Sequence, residues 1–305
     1  MAITASQVKE LRDKTGAGLL DCQNALKETN GSVEEAEKIL RKKGLADAAK
    51  KAGRVAADGL IGYKVEGGTA ALVELNCETD FVAKTDDFRK ARQILAEAVF
   101  AEAAFGDAPS LDPEKVRALP APAALPGATG TVADWLKAFT AKTGENTQLR
   151  RAARLTAAPG GALTLYAHTG DKNVVVLETA GCDETLAKDL AMQVAALAPQ
   201  WATREAVPAK AVEEEKEIAR AKAAAAGKPA NVVEKMVDGM VNKWLGEVVL
   251  VDQPFVKDDA KKVSQVVAER AGKDGRVVRF VRLKVGEGVE KKAADLAADV
   301  AALTK

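Results

Sequence analysis

Apolar residues recur at helical spacing in three short runs at the start of the chain: Val8 and Leu11; Leu19, Leu20, Ala25 and Leu26; then Val33, Ala36, Ile39 and Leu40. Gly16 and Gly18 separate the first two runs, Asp21 is placed to cap the second, and Asn30-Gly31 ends it, because these residues tolerate the left-handed backbone that closes helices. Ser32 with Glu35 reads as a capping box for a third helix, and Gly44 as its stop. Residues 45–55 are rich in Ala, Lys and Gly and read as a linker with helical propensity.

The pattern then turns to strands. Residues 59–65 and 70–77 flank Glu66-Gly67-Gly68, a hairpin signal. A helix follows, capped by Thr85 or Asp86, with Phe88, Ala91, Leu95, Ala98 and Val99 on one face. Between strand and helix lies Asn76-Cys77-Glu78-Thr79-Asp80-Phe81-Val82-Ala83-Lys84, a charge and a large aromatic on a short connector. A rigid scaffold can hold such a connector out towards a partner. Residues 106–130, with prolines at 109, 113, 120, 122 and 126, read as a loop or partly disordered insertion, and Trp135, Leu136 and Phe139 as a short helix. Further on, residues 150–155, 163–168 and 174–178 read as strands, the last two paired across Thr169-Gly170-Asp171, and a helix over 183–197 ends at Pro199. Strand, hairpin and helix thus occur twice. Two helices separated by Gly227-Lys228-Pro229 form an antiparallel hairpin. Pro254-Phe255-Val256 and residues 279–285 return to the sheet, and a last helix covers 290–303.

The expected class is α+β: an N-terminal three-helix module of ubiquitin-associated type, two related α+β subdomains with antiparallel sheets, a helical-hairpin (coiled-coil) insertion and a C-terminal helix. The corresponding divisions are 1–54; 55–145, containing the 106–130 insertion; 146–201 with 251–287; 202–250; and 288–305. A length of 305 residues suits several cores better than one.

Composition narrows the function. Forty-five basic against 44 acidic residues leave a net charge of +1, without the basic excess of a dominant nucleic-acid or acidic-membrane footprint. Cys22, Cys77 and Cys182 are scattered and odd in number, which fits reduced thiols in the cytoplasm. No signal-peptide pattern opens the chain, and no apolar run approaches the ~20 residues of a membrane span. There is no phosphate-binding loop, no dinucleotide fingerprint and no nucleophile elbow. Direct nucleotide binding, a cofactor, a metal site and an enzymatic activity are therefore not expected. Acidic runs such as Asp86-Asp87 and Glu213-Glu214-Glu215 read as solvated helix faces.

One resemblance covers almost the whole chain. Val8-Lys9-Glu10-Leu11-Arg12, Thr15-Gly16-Ala17-Gly18, Asp21-Cys22, Lys50-Lys51-Ala52-Gly53, Asn76-Cys77 with Thr79-Asp80-Phe81-Val82-Ala83-Lys84, Gly144-Glu145-Asn146, Tyr166 with His168, Gln253-Pro254-Phe255-Val256 and Val285-Gly286-Glu287-Gly288 occur in order. This series resembles the bacterial elongation factor Ts family, whose members exchange nucleotide on elongation factor Tu. The resemblance implies a cytoplasmic guanine-nucleotide exchange factor that binds the GDP-bound and nucleotide-free partner. In that reading Thr79, Asp80, Phe81 and Val82 disturb Mg²⁺ and phosphate-loop contacts, with Phe81 as a wedge and Asp80 holding displaced elements. Arg12, Leu19, Leu20 and His168 supply further contacts, and the hairpin is a candidate for homodimer formation. Where the family often has a basic residue after Asp21-Cys22, this chain has Gln23 and Asn24. The 106–130 insertion is longer than the resemblance implies, and no function attaches to it.

From the residues alone, Phe81 fits a core position shared with Phe88 as well as an exposed one. Asp80 fits a helix cap, Leu19-Leu20 fit core or surface, and His168 fits a structural role on a strand. Two other functions are compatible with parts of the pattern. One is RNA or ribosome binding through Arg41-Lys42-Lys43, Lys50-Lys51 and Arg54, which predicts steep salt dependence. The other is a scaffold that binds a partner without changing nucleotide release.

Overall fold

The computed structural model describes residues 3–224 and 230–290. Helices α1 (Ala5–Thr15), α2 (Leu19–Glu28) and α3 (Val33–Lys51) close over buried Val8, Leu11, Cys22, Leu26 and Ala36. Their ends follow from capping. Thr4 and Gln7 form a reciprocal box at the start of α1, and left-handed Gly16 returns its N–H to the Arg12 carbonyl at its end. Three expectations change here. The N-cap of α2 is Gly18, and Asp21 sits in the first turn, ion-paired with Lys43 at 2.6 Å. Ser32 accepts from the Glu35 N–H at 3.4 Å, which is one half of the expected box. Gly44 does not stop α3: a Cβ there would lie 2.9 Å from the Ala141 Cβ on the later helix Val132–Thr143. The glycine permits a close helix–helix approach, and that packing outweighs its propensity cost of ~1 kcal/mol.

β1 (Asp58–Glu66) and β2 (Thr69–Cys77) form an antiparallel hairpin with Glu66 opposite Thr69. Then come the single-turn α4 (Asp80–Ala83), α5 (Asp86–Ala101), β3 (Ala108–Leu111), α6 (Pro113–Arg117), α7 (Val132–Thr143) and β4 (Gln148–Thr156). The sheet order is β1-β2-β4-β3. Two corrections follow. Residues 106–130 are not a loose insertion, because they contain β3 and α6. Asp112 caps α6, with Pro113 where a missing N–H costs nothing, and Leu111, Val116 and Leu125 are buried in the main core. Apolar residues between the prolines, which composition obscured, give this segment its anchor. In addition, β4 does not open the second subdomain, since it pairs with β2 and β3 in the first sheet.

The second half contains β5 (Gly161–Ala167), β6 (Asn173–Ala180), α8 (Glu184–Leu197), α9 (Ala209–Ala224), α10 (Ala230–Val248), β7 (Pro254–Phe255), β8 (Asp258–Lys262), α11 (Val263–Ala271) and β9 (Arg276–Lys284). Its sheet runs β5-β6-β9. Pro254-Phe255 does not rejoin that sheet; β7 pairs with β8 in a separate ribbon, and β9 makes the return. α9 and α10 share an apolar seam of Ala219, Ala223, Val237, Val241 and Leu245. The Gly227-Lys228-Pro229 turn and the expected helix beyond residue 290 lie outside the described residues.

Strand alternation organises the layers. β2 sends Val73 and Leu75 to a core with Phe88, Leu95 and Trp135, and Ala70 and Leu72 to the opposite side. There they meet Val174 and Val176 of β6 and Leu283 of β9. β6 sends Val175 and Leu177 the other way, against Leu186 and Leu190 of α8 and Val266 of α11. The order is therefore helices, four-stranded sheet, three-stranded sheet, helices, an α+β arrangement with antiparallel sheets. Two glutamates continue the inner faces and are fully buried. Glu74 accepts from Arg150, Arg151 and the Gly286 N–H. Glu178 accepts from Arg279 at 2.6 Å and the Ala158 N–H at 2.7 Å, and Arg279 continues to Asp107. Buried carboxylates are tolerable only with such partners, and both networks tie one sheet to the chain of the other.

Candidate partner-binding site

The connector after β2 is built residue by residue. The Cys77 thiol donates to the Thr79 carbonyl at 3.1 Å. Burial, reinforced by the charges of Glu145 and Asp58, pushes that thiol up to about 12, so it stays protonated and unreactive at neutral pH. Thr79 is extended and caps α4, its hydroxyl accepting from the Val82 N–H at 3.5 Å. The cap is thus Thr79 and not Asp80, which starts the helix and ion-pairs with Lys84. The hydrogen bond from Lys84 is the main reason the Asp80 carboxyl titrates below the usual carboxylate range. Val82 packs against the main core and Ala83 is buried. Phe81 projects away and is 78% exposed, whereas Phe88 is fully buried. The two part company because Thr85 caps α5 afresh, accepting from the Phe88 N–H at 3.3 Å, so the helical register does not run through.

The 143–147 turn braces this connector. Glu145 accepts from both the Thr79 N–H (2.9 Å) and the Thr79 hydroxyl (2.6 Å), while Glu78 accepts from the Asn146 N–H at 2.7 Å. Gly144-Glu145-Asn146 contributed to the resemblance without a role. Its contact with Thr79 spans 66 positions, and no local pattern encodes that.

His168 is exposed at the end of β5, its Nδ1 3.1 Å from the Tyr166 hydroxyl. It belongs to the turn leading to β6, which is locked to the first half. Arg92 of α5 donates to Asp171 at 2.7 Å, the Tyr63 hydroxyl reaches the same carboxylate, and Lys172 donates to Asp58 at 2.7 Å. A cleft of about 420 Å³ lies between, lined by Asp80, Lys84, Arg89, Arg92, Asp171 and Lys172 among others. Asp80 and the His168 turn are therefore brought together across one cleft. Leu19 and Leu20, at the start of α2, are 53% and 72% exposed, and Arg12 is exposed on α1. Gly16, between Arg12 and these leucines, lies against Lys142, which ion-pairs with Asp87 at the start of α5. A chain of contacts thus leads from the first module to the connector.

Among the described residues, no group of three or more His, Cys, Asp or Glu side chains could hold a metal ion, and no helix is long and apolar enough to cross a membrane. What the connector offers is an exposed aromatic beside a paired carboxylate on a braced turn, suited to insertion into another surface.

Residues 78–287 match the family model described as Elongation factor TS. The chain is 47% identical over 307 residues to elongation factor Ts of Thioalkalivibrio sulfidiphilus, covering 100% of this chain and 99% of that one. It is 45% identical over 304 residues to elongation factor Ts of Methylococcus capsulatus (99% and 98% covered) and 44% over 299 residues to that of Levilactobacillus brevis (98% and 97%). These likenesses and the α+β architecture define the class as translation elongation factors. Within that class the chain belongs to the elongation factor Ts family.

Proposed function

We propose that the chain is the guanine-nucleotide exchange factor for elongation factor Tu, acting in the cytoplasm on the GDP-bound partner and passing through a nucleotide-free complex. The observation that carries this reading is Phe81, a large aromatic left 78% exposed on a connector that the fold braces on the other side. A GTPase holds its nucleotide through a phosphate loop and Mg²⁺, whose octahedral geometry tolerates little displacement of ligands. In this proposal Phe81 wedges into the partner, Asp80 exchanges Lys84 for a partner group, and Thr79 and Val82 hold the turn in place. Mg²⁺ and phosphate-loop contacts are disturbed and GDP leaves. No bond is made or broken, so the activity is not enzymatic catalysis in the covalent sense. By linkage, whatever weakens GDP binding is itself bound more weakly when GDP is present, which allows GTP to complete the cycle.

Arg12, Leu19 and Leu20 of module 1–54, and His168, are proposed as supporting contacts. The hairpin within 202–250 is proposed as a self-association arm. The test is stopped-flow release of a fluorescent GDP analogue from elongation factor Tu. The native chain should accelerate release strongly, and Phe81→Ala should lose about tenfold or more of that acceleration, ~1.4 kcal/mol in barrier, with unchanged unfolding. Equal acceleration by both proteins would move the site elsewhere; acceleration by neither would refute the function.

A further inference from the structure

The turn that braces the connector has a geometry that goes beyond stability. α4 contains only four residues, too few for its own hydrogen bonds to repay helix nucleation. Its order must come from outside. On one side Val82 and Ala83 meet the core. On the other, Thr79 presents a backbone N–H and a hydroxyl, and both go to a single carboxylate, Glu145, at 2.9 and 2.6 Å. The second bond directs the hydroxyl proton to Glu145 and leaves an oxygen lone pair free to cap the Val82 N–H. Charge-assisted bonds of this kind are about twice as strong as neutral ones.

Glu145 is itself held rigidly. Gly144 closes α7 in the left-handed conformation, and the Thr143 hydroxyl accepts from the Glu145 N–H at 3.4 Å. Asn146 is buried, donates through Nδ2 to the Ala52 and Arg54 carbonyls at 3.2 and 2.6 Å, and gives its N–H to Glu78. Residues 52–54 are the exit from the first helical module. The 144–146 turn thus joins that exit to the connector, with Glu78 and Glu145 bonded in opposite directions across it.

We propose that Glu145 is a positioning residue for nucleotide release. Through Thr79 it sets the orientation of α4 and hence the direction in which Phe81 projects, without touching the partner itself. This rests on the reading of Phe81 given above. The supporting contacts proposed above dock the chain whichever way Phe81 points, so a wedge that is free to swivel leaves docking intact and only the correctly oriented fraction of docked complexes releases GDP.

The test uses the full chain carrying Glu145→Ala or Glu145→Gln, each alone and combined with Phe81→Ala. In the free protein, amide hydrogen exchange at residues 82–85 should become about tenfold faster in Glu145→Ala while β2 and α5 keep their protection. Glu145→Gln keeps one acceptor oxygen and should fall between. Unchanged protection at 82–85 in both variants would overturn the proposal. In GDP release from elongation factor Tu, Glu145→Ala should lower the saturating rate about tenfold and change the half-saturating concentration by less than about twofold. Adding it to Phe81→Ala should cost nothing further. An equal loss in both backgrounds would mean that Glu145 acts other than through Phe81, again overturning it. If residues 82–85 loosen as expected but Phe81→Ala releases GDP like the native chain, the exchange reading fails at Phe81 while the positioning of α4 by Glu145 stands.

Discussion

The chain makes the same local construction twice and uses it differently. In each half a β-hairpin, β1-β2 or β5-β6, leads through a connector to a helix that covers the sheet, α5 or α8. Each central strand carries a buried glutamate on its inner face, Glu74 or Glu178. The connectors differ. After β6 it is Gly181-Cys182-Asp183, with left-handed Gly181 pressed so closely on residues 274–275 that a Cβ would lie 2.6 Å from the Asp274 carbonyl oxygen. After β2 the chain spends eight residues, 78–85, before α5, forms an extra turn of helix and leaves Phe81 exposed. A short connector packed under a neighbouring segment can only join strand to helix. A longer one, braced from a distant turn, can present a side chain outward. The layers set the frame, and connector length with its bracing decides where an interaction element can sit.

Substitutions can break or sharpen this comparison. The largest effects belong to what the two halves share. Glu74→Ala and Glu178→Ala each take a buried carboxylate away from half-buried arginines and a backbone N–H, and should each cost about 2–4 kcal/mol, read by denaturant unfolding. A loss near zero for either would show that its network is not a stabilising tie. Next are the connectors themselves. Gly181→Ala forces a Cβ onto backbone at a φ of 66° and should cost about 1–3 kcal/mol. Lys84→Ala in the first connector removes only an exposed ion pair and should cost less than about 1 kcal/mol. Comparable losses would contradict the contrast between a packed connector and a presented one.

The smallest effect concerns the link from Arg279 to Asp107, which joins the halves at a half-exposed position. The hydrogen bond from Arg279 is the largest cause holding the Asp107 carboxyl below its ordinary value of 3.8. A depressed folded-state value means that this stabilisation is present above 3.8 and is lost as pH falls through the lower folded value. Asp107→Asn should therefore flatten the acid limb of the stability curve, by under about 1 kcal/mol given solvent screening. An acid limb identical to that of the native chain would remove Asp107 from the tie.

Much of the architecture was legible because it is written in local periodicity. The hairpins at Gly67-Gly68 and Gly170-Asp171, the cap at Thr85, the helix ending at Leu197 and the buried face of α5 lie where spacing and turn chemistry put them. The three largest failures share one cause. Gly44 continues α3, residues 106–130 fold into β3 and α6, and β4 joins the first sheet, each because of a distant partner: Ala141, the main core, or β2. Phe81 was ambiguous for the same reason. Its seven-residue separation from Phe88 suits one helix face, and only the new cap at Thr85 shows that there are two helices.

The sequence by itself determined most of the element types, the doubled strand-hairpin-helix theme, the absence of a phosphate loop, and a run of ordered motifs that places the chain in its family. Those properties depend on residues a few positions apart, within reach of one helix turn, one β-turn or one string of identities. Only the tertiary structure decided that two sheets share an inner core, that Phe81 is exposed while Phe88 is buried, and that Glu145 grips Thr79. These depend on which side chains meet across the fold, and a hydrogen bond between positions 79 and 145 leaves no periodic trace in the chain that makes it.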